Sequence, residues 1–267
     1  MASPPLPANV HVSAHPLLRA NLSQLRSHST NARETKVLVH EIATILGCEA
    51  LATVLSVVAT GTGKTPLGTE YTTESIEPSS IALVPILRSG PGMLEAIQTL
   101  LPSSVPVHHL GLFRDPTTLQ PVEYYDNLPF HRPSSSSSAS SLQPQLQPPP
   151  TTTPNPAAAH LAILLDPVIA TGNTASAAIH LLREWGVARV VMLSVLGSAS
   201  GVRRAAEEWW PDGVELWVGG VDDVDVHVDG LGLDGGQVGL GLDGRGMIVP
   251  GLGDIGDRLF MTGAAGK

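Results

Sequence analysis

Cysteine is nearly absent: Cys48 is the single one in 267 residues, which excludes an intrachain disulfide and any multi-cysteine metal site. Its place in an apolar helical stretch predicts a buried thiol. Positive charge is also scarce, with 15 Lys and Arg against 24 Asp and Glu for a net charge of −9. That balance argues against a general nucleic-acid binder but leaves room for local basic sites that take anionic small molecules. No apolar run approaches the roughly 18 residues of a membrane span. The start, Met1 to Val10, lacks a basic region followed by an apolar block. No membrane contact is expected, and the cytoplasm is the expected compartment. What is present is enough for a core, since 42% of the residues are hydrophobic.

Along the chain, residues 1–14 read as a flexible N-terminus and order is expected to begin at His15-Pro16-Leu17. Leu18, Leu22 and Leu25 share one helical face, and a second helix carries Leu38, Ile42 and Ile45, with Thr30 or Asn31 as its cap. Gly61-Thr62-Gly63-Lys64-Thr65 resembles the end of a P-loop, yet that pattern needs glycine at position 58, where Val58 stands. Pro66-Leu67-Gly68-Thr69 then turns back instead of opening a helix, so the stretch reads as a hairpin tip, with Lys64 as added positive charge near a phosphorylated ligand. Residues 133–158 are a Ser/Pro/Gln-rich insertion that cannot bury apolar surface. Residues 219–246 form a second insertion, a Gly/Asp-rich flap in which Gly230 to Gly235 recurs as Gly239 to Gly244. Two copies of such a repeat do not build a calcium-binding β-helix, which needs several stacked turns.

Three stretches carry chemistry. Leu161 to Leu165 is an apolar strand that ends in Asp166-Pro167-Val168-Ile169-Ala170-Thr171-Gly172-Asn173-Thr174, followed by Ala175, Ala178, Ile179 and Leu182 at helical spacing. A loop at the carboxyl end of a strand that opens a helix aims unpaired N–H groups and the positive end of a helix dipole at one point, where a phosphate can sit. Ile81 to Leu87 is a second buried strand, ending in Arg88-Ser89-Gly90, and Val105 to Leu112 repeats the arrangement with Arg114. Ligands gather at the carboxyl ends of strands in open α/β sheets, and guanidinium groups suit phosphate oxygens. The third stretch is Ile248-Val249-Pro250-Gly251-Leu252-Gly253-Asp254-Ile255, whose glycines let backbone approach a ligand closely. Strands and helices alternate from residue 81 onward, which predicts a parallel, doubly wound α/β sheet.

In order, these blocks resemble the uracil phosphoribosyltransferase family. The resemblance rests on His15-Pro16-Leu17, Thr65-Pro66-Leu67-Gly68-Thr69, Val84 to Gly90, Gly111 to Pro116, Pro121 to Tyr125, Asp166 to Thr174 and Ile248 to Phe260. It implies a type I phosphoribosyltransferase-like fold: one domain over residues 15–267, a central parallel sheet flanked by helices, and a small hood or flap from the C-terminal region. It further implies conversion of uracil and 5-phosphoribosyl 1-diphosphate (PRPP) to UMP and diphosphate, with Mg2+ carried on PRPP and not on protein ligands. On this resemblance Asp166 to Thr174 hold the ribose and 5′-phosphate, Arg88 and Arg114 clamp the diphosphate, Ile248, Gly253, Asp254 and Ile255 read uracil, and Asp254 also faces PRPP. Asp254, Arg114 and Arg88 are its catalytic residues. GTP as an effector and a homodimer or homotetramer belong to the same expectation. The family's loop usually ends Gly-Gly-Ser where this chain has Gly172-Asn173-Thr174, and a glycine at 173 permits positive φ. The alternative is a non-catalytic relative that binds PRPP or nucleotide in a regulatory or assembly role.

Overall fold

The computed structural model describes residues 5–114, 121–129, 158–209, 211, 213–223, 241–244 and 246–262. The Ser/Pro-rich insertion before Ala158, and most of the Gly/Asp-rich repeat, lie outside the described residues. In chain order the elements are β1 (Val10–Val12), α1 (Pro16–Leu25), α2 (Ala32–Val54), β2 (Ser56–Lys64), β3 (Glu70–Glu77), β4 (Ile81–Leu87) and α3 (Pro91–Leu100). They continue with β5 (Leu110–Arg114), β6 (Pro121–Asp126), β7 (Leu161–Leu165), β8 (Val168–Ile169), α4 (Asn173–Trp185), β9 (Arg189–Ser194) and β10 (Leu196–Ser198). The last are α5 (Ala199–Glu207), β11 (Val214–Val218), β12 (Val221–Asp222) and α6 (Ile255–Phe260).

Seven strands form the main sheet in the order β1-β11-β9-β7-β4-β5-β6. Neighbours are parallel except for the edge pair β5 and β6, which is antiparallel. Period-two alternation sends successive side chains of the central strands into two separate cores. Leu83, Ile163 and Val191 pack with the inner faces of α1, α2, α3 and α6. Val84, Leu164 and Met192 pack on the other side with α4 and α5. Strands covered on both faces read as unbroken apolar runs, which is why β4 and β7 were legible as strands.

The helices obey local rules. Pro16 occupies the first turn of α1, whose buried positions are Leu18, Leu22 and Leu25. Asn31 caps α2 in a reciprocal box: its side chain accepts from the Glu34 N–H at 3.1 Å, and Glu34 accepts from the Asn31 N–H at 3.1 Å. Within α2, Gly47 lets α3 approach, because a Cβ there would stand 2.7 Å from both Ile97 and Leu100. Gly186 ends α4 at φ 100°.

Several expectations need correction. Cys48 is exposed, because it falls on the outer side of α2 while Ile42, Ala43, Leu46 and Ala50 face inward. α2 is long and apolar enough to cross a membrane by length and composition, although no uninterrupted apolar run marks it. Its buried face, from Leu38 to Val54, is a wall of the core. The stretch read as loose up to residue 14 contains β1, which pairs with β11, and Asn9 donates to the carbonyls of Ala206 and Val214 at 2.9 and 3.0 Å. Val105 to Leu112 is not one strand: Leu83 bonds around Pro106 to His108, and regular pairing begins only at Leu110. Gly61 to Lys64 lie in β2, paired antiparallel with β3, so no P-loop exists there. Lys64 faces Glu70 across that ladder and lines neither of the cavities described below.

Candidate active site

β4 and β7 are sheet neighbours, but the chain leaves them in opposite directions. From β4 it passes through α3 on one face to β5, and from β7 through α4 on the other face to β9. Their carboxyl ends therefore diverge into a crevice, the place where open α/β sheets bind ligands. Arg88 and Ser89 follow β4, and Asp166 follows β7. Beyond short breaks, β7, β9 and β11 continue as β8, β10 and β12, a second parallel sheet in the order β12-β10-β8. That small sheet forms the floor under the loop from Ala170 to Gly172.

The loop itself is held by close backbone packing. Gly172 sits at φ 79° and caps α4, so the positive φ needed at this turn falls on a glycine. Asn173 is the first residue of the helix and is not in the left-handed region. Its Oδ1 accepts from Arg204 Nη1 of α5. A Cβ at Gly172 would stand 2.4 Å from the Gly201 carbonyl oxygen, and one at Gly201 would stand 2.0 Å from the Ala170 carbonyl oxygen. Ser198 completes the brace, donating to Ala170 O at 2.6 Å while accepting from Gly201 N–H at 2.9 Å. Gly90 plays the same part on the other side, where a Cβ would meet Leu165 O at 2.4 Å.

Asp166 is buried at the end of β7. Burial pushes its carboxyl up to about 7, against a smaller opposing effect from the Ser89 hydroxyl, which donates to Oδ1 at 3.2 Å, and from the Val168 N–H. Thr171, Gly172, Thr174 and Ala175 join it around a cavity of about 140 Å3 that Gly246 and Met247 close from above. A second cavity of about 440 Å3 adjoins the first through Val168 and Met247, which line both. Arg88, Tyr124 and Gly253 to Gly256 surround it.

At the start of α6, Asp254 caps the helix by accepting from Asp257 N–H at 3.0 Å. Arg88 reaches the same turn, with Nη2 3.6 Å from Asp257 Oδ1 and Nη1 donating to Thr262 at 3.2 Å. Arg88 is more than half exposed, so this ion pair is a weak restraint on its position. Thus Arg88 and Gly253, Asp254 and Ile255 line the larger cavity, and Asp166, residues 168–172 and Thr174 the smaller, whereas Pro167 and Asn173 line neither. Ile248 itself is buried in the core and bridges Leu242, and its neighbour Met247 is the residue that meets the cleft. Arg114 closes β5, and its side chain lies outside the described residues.

Sequence reasoning assigned no role to Ser198, Gly201 or Tyr124. The small-residue run Ser198-Ala199-Ser200-Gly201 after a strand was the available signal for a helix cap packed on backbone. Tyr124 lies across Gly111, where a Cβ would stand 2.8 Å from its ring, and nothing in the spacing indicates that contact.

A sequence model described as "Uracil phosphoribosyltransferase" matches residues 12–262. The chain belongs to the uracil phosphoribosyltransferase family. The uracil phosphoribosyltransferase of Roseiflexus castenholzii is 36% identical over 254 residues, covering 95% of this chain and 99% of that one. The one from Macrococcus caseolyticus is 34% identical over 256 residues, covering 96% and 99%. Among solved structures, the AQ2163 protein from Aquifex aeolicus superposes with a TM-score of 0.72 at 25% identity, covering 96% of this chain and 100% of that one. Members of this family are pentosyltransferases, and the match spans both cavities.

Two outcomes follow from the geometry. If the turn from Ala170 to Gly172 holds a phosphate, Gly201→Ala, which would force Ala170 away, should weaken ribose 5-phosphate binding by about tenfold or more. Calorimetry checks this, with unchanged far-UV circular dichroism as the folding control. The second concerns pH. The folded carboxyl of Asp166 titrates near 7, against an ordinary value of 3.8, so between those values the folded state holds a proton that the unfolded state has lost. Its contribution to stability is complete below about pH 3.8 and is lost as pH rises through 7. In urea titrations without ligand, wild type should lose more stability than Asp166→Asn between pH 5 and pH 8.

Proposed function

We infer that the protein transfers the phosphoribosyl group of PRPP to N1 of uracil, giving UMP and diphosphate. The observation that carries this reading is the junction of the two cavities through Val168 and Met247, with a phosphate cradle at one end and a glycine-rich backbone edge at the other. A ribose ring bridging that junction sets its 5′-phosphate against the N–H groups that open α4 and its anomeric carbon toward Gly253 to Ile255. Uracil N1 then bonds to that carbon while the bond to the diphosphate oxygen breaks, and the N1 proton passes to solvent.

The transition state carries positive charge on the ribose and growing negative charge on the leaving diphosphate, so positioning and charge stabilisation supply the rate. Arg88 and Arg114 serve the diphosphate. The backbone of Gly253, Asp254 and Ile255, with Ile248 supporting it, offers fixed donors and acceptors that suit uracil's carbonyls and N3–H and leave cytosine mismatched. Asp254 faces the donor. Among the described residues no three His, Cys, Asp or Glu side chains are placed to hold a metal ion. In this reading Mg2+ would come with the donor and be held by no protein side chain, and it would supply charge neutralisation at the leaving diphosphate.

Nothing in this loop favours the non-catalytic relative, because the positive φ of the turn belongs to Gly172 and Asn173 is the first residue of α4. The hairpin β2–β3 supports an assembly of at least two copies. Val57, Leu67 and Tyr71 on it are 68%, 93% and 50% exposed, and an isolated two-stranded hairpin is marginal in water. A cytoplasmic location suits salvage of free uracil, and GTP as an effector rests on the family alone.

Purified protein given radiolabelled uracil, PRPP and Mg2+ should form UMP, and not form the corresponding nucleotides from cytosine or orotate. Arg114→Ala and Asp254→Asn should each lower kcat/KM on the order of a hundredfold. A GTP arm and light scattering in the same series read activation and assembly. Tight PRPP binding without UMP would move the conclusion to the non-catalytic relative.

A further inference from the structure

Arg26, Asp222 and Arg258 lie outside both cavities, yet all three converge on the loop that presents Gly253 to Ile255. Arg26, at the end of α1, forms a two-pronged pair with Asp222 at 2.7 and 2.9 Å. Its Nη1 also donates to Gly251 O at 2.7 Å, and Gly251 N–H donates to Asp222 Oδ2 at 2.9 Å. Both polar backbone groups of Gly251 are thereby bound. Gly251 itself sits at φ 62°, where a Cβ would stand 2.0 Å from Ile248 O. One residue on, Leu252 O accepts from Arg258 Nη1 at 2.8 Å, and the same guanidinium donates to Leu25 O at 2.6 Å and Ser27 O at 3.2 Å. Residues 251 and 252 are therefore tied to the end of α1, and Gly253 is the first loop residue that the ties leave facing the cleft.

The same node sits at the neck of the Gly/Asp-rich segment. The chain passes Asp222 before residues 224–240 and returns at Gly241, where a Cβ would stand 2.0 Å from Asp222 O. From there Gly241 O accepts from Val249 N–H at 2.9 Å, and Asp243 and Met247 close a short ladder with an N–H to O distance of 2.8 Å. Departure and return are pinned on one residue, and the bonds from Gly241 to Val249 lead straight into the base-reading block.

We propose that Arg26, Asp222 and Arg258 are positioning residues for the base: they fix the backbone edge that reads uracil and isolate it from the length of the 224–240 segment. Charge-assisted, forked hydrogen bonds at a largely buried carboxylate give such a clamp its stiffness. A small misplacement of a reading edge is enough to cost a large factor in binding or rate. The proposal rests on the transferase reading, so wild-type UMP formation is measured first; its absence overturns that reading.

Given wild-type turnover, the test compares Arg26→Lys, Asp222→Asn and a chain lacking residues 227–237. Arg26→Lys keeps the charge and loses the fork, and Asp222→Asn keeps the shape and loses the charge. Each should raise KM for uracil by about tenfold with KM for PRPP within about twofold, whereas the deletion should leave both constants unchanged. Unaltered uracil KM in both substituted proteins would overturn the proposal. So would equal rises in both constants accompanied by a fall in melting temperature, since that pattern marks a merely structural pair. A raised uracil KM in the deletion would overturn the isolation of the segment.

Discussion

At the carboxyl edge of the sheet three turns approach so closely that no side chain fits between them. Gly90 lies against Leu165 O, Gly172 against Gly201 O, and Gly201 against Ala170 O. Everything the site does depends on that contact. It sets the loop after β7 on a floor made by β8 and β10, points the first N–H groups of α4 into a small cavity, and leaves Arg88 on the opposite wall. Backbone against backbone also makes the cradle stiff, because there are no rotamers to adjust.

Under the proposed function, that stiffness is how an acidic chain would hold an anionic donor. Much of the acidic excess behind the net charge of −9 stands between Asp222 and Asp243, while the cradle offers fixed dipoles instead of mobile cations. Asp166 would be an unfavourable neighbour for a phosphate if fully ionised, and burial keeps it partly protonated near neutral pH. Arg88, which the proposed reading assigns to the leaving diphosphate, is only loosely committed to Asp257 and Thr262. The C-terminal block works in the opposite way. Its side chains and backbone are firmly bound up in capping α6 and in the ties to Arg26, Asp222 and Arg258.

Much of this was legible in the sequence, for identifiable reasons. β4 and β7 announce themselves because both faces are buried, and α1 and α2 because their apolar positions keep helical period. The candidate residues Arg88, Asp166 and Gly253 to Ile255 stand at strand ends or in glycine-rich turns, where local sequence and ligand position are linked. What could not be read depends on distant partners. β8, β10 and β12 are two or three residues long and exist only because they extend neighbouring strands. Arg26 and Asp222 are nearly two hundred residues apart, and neither belongs to a local motif. The exposure of Cys48 turns on which side of α2 faces the core, and composition does not contain that.

Under the proposed function, the Ala170 to Gly172 turn and the opening of α4 form the phosphate cradle. Amide hydrogen exchange with and without ribose 5-phosphate tests it most directly. Binding should slow exchange of the N–H groups from Thr171 to Ala175 while the β2–β3 hairpin is unaffected. Protection elsewhere, with none in that turn, would contradict the account.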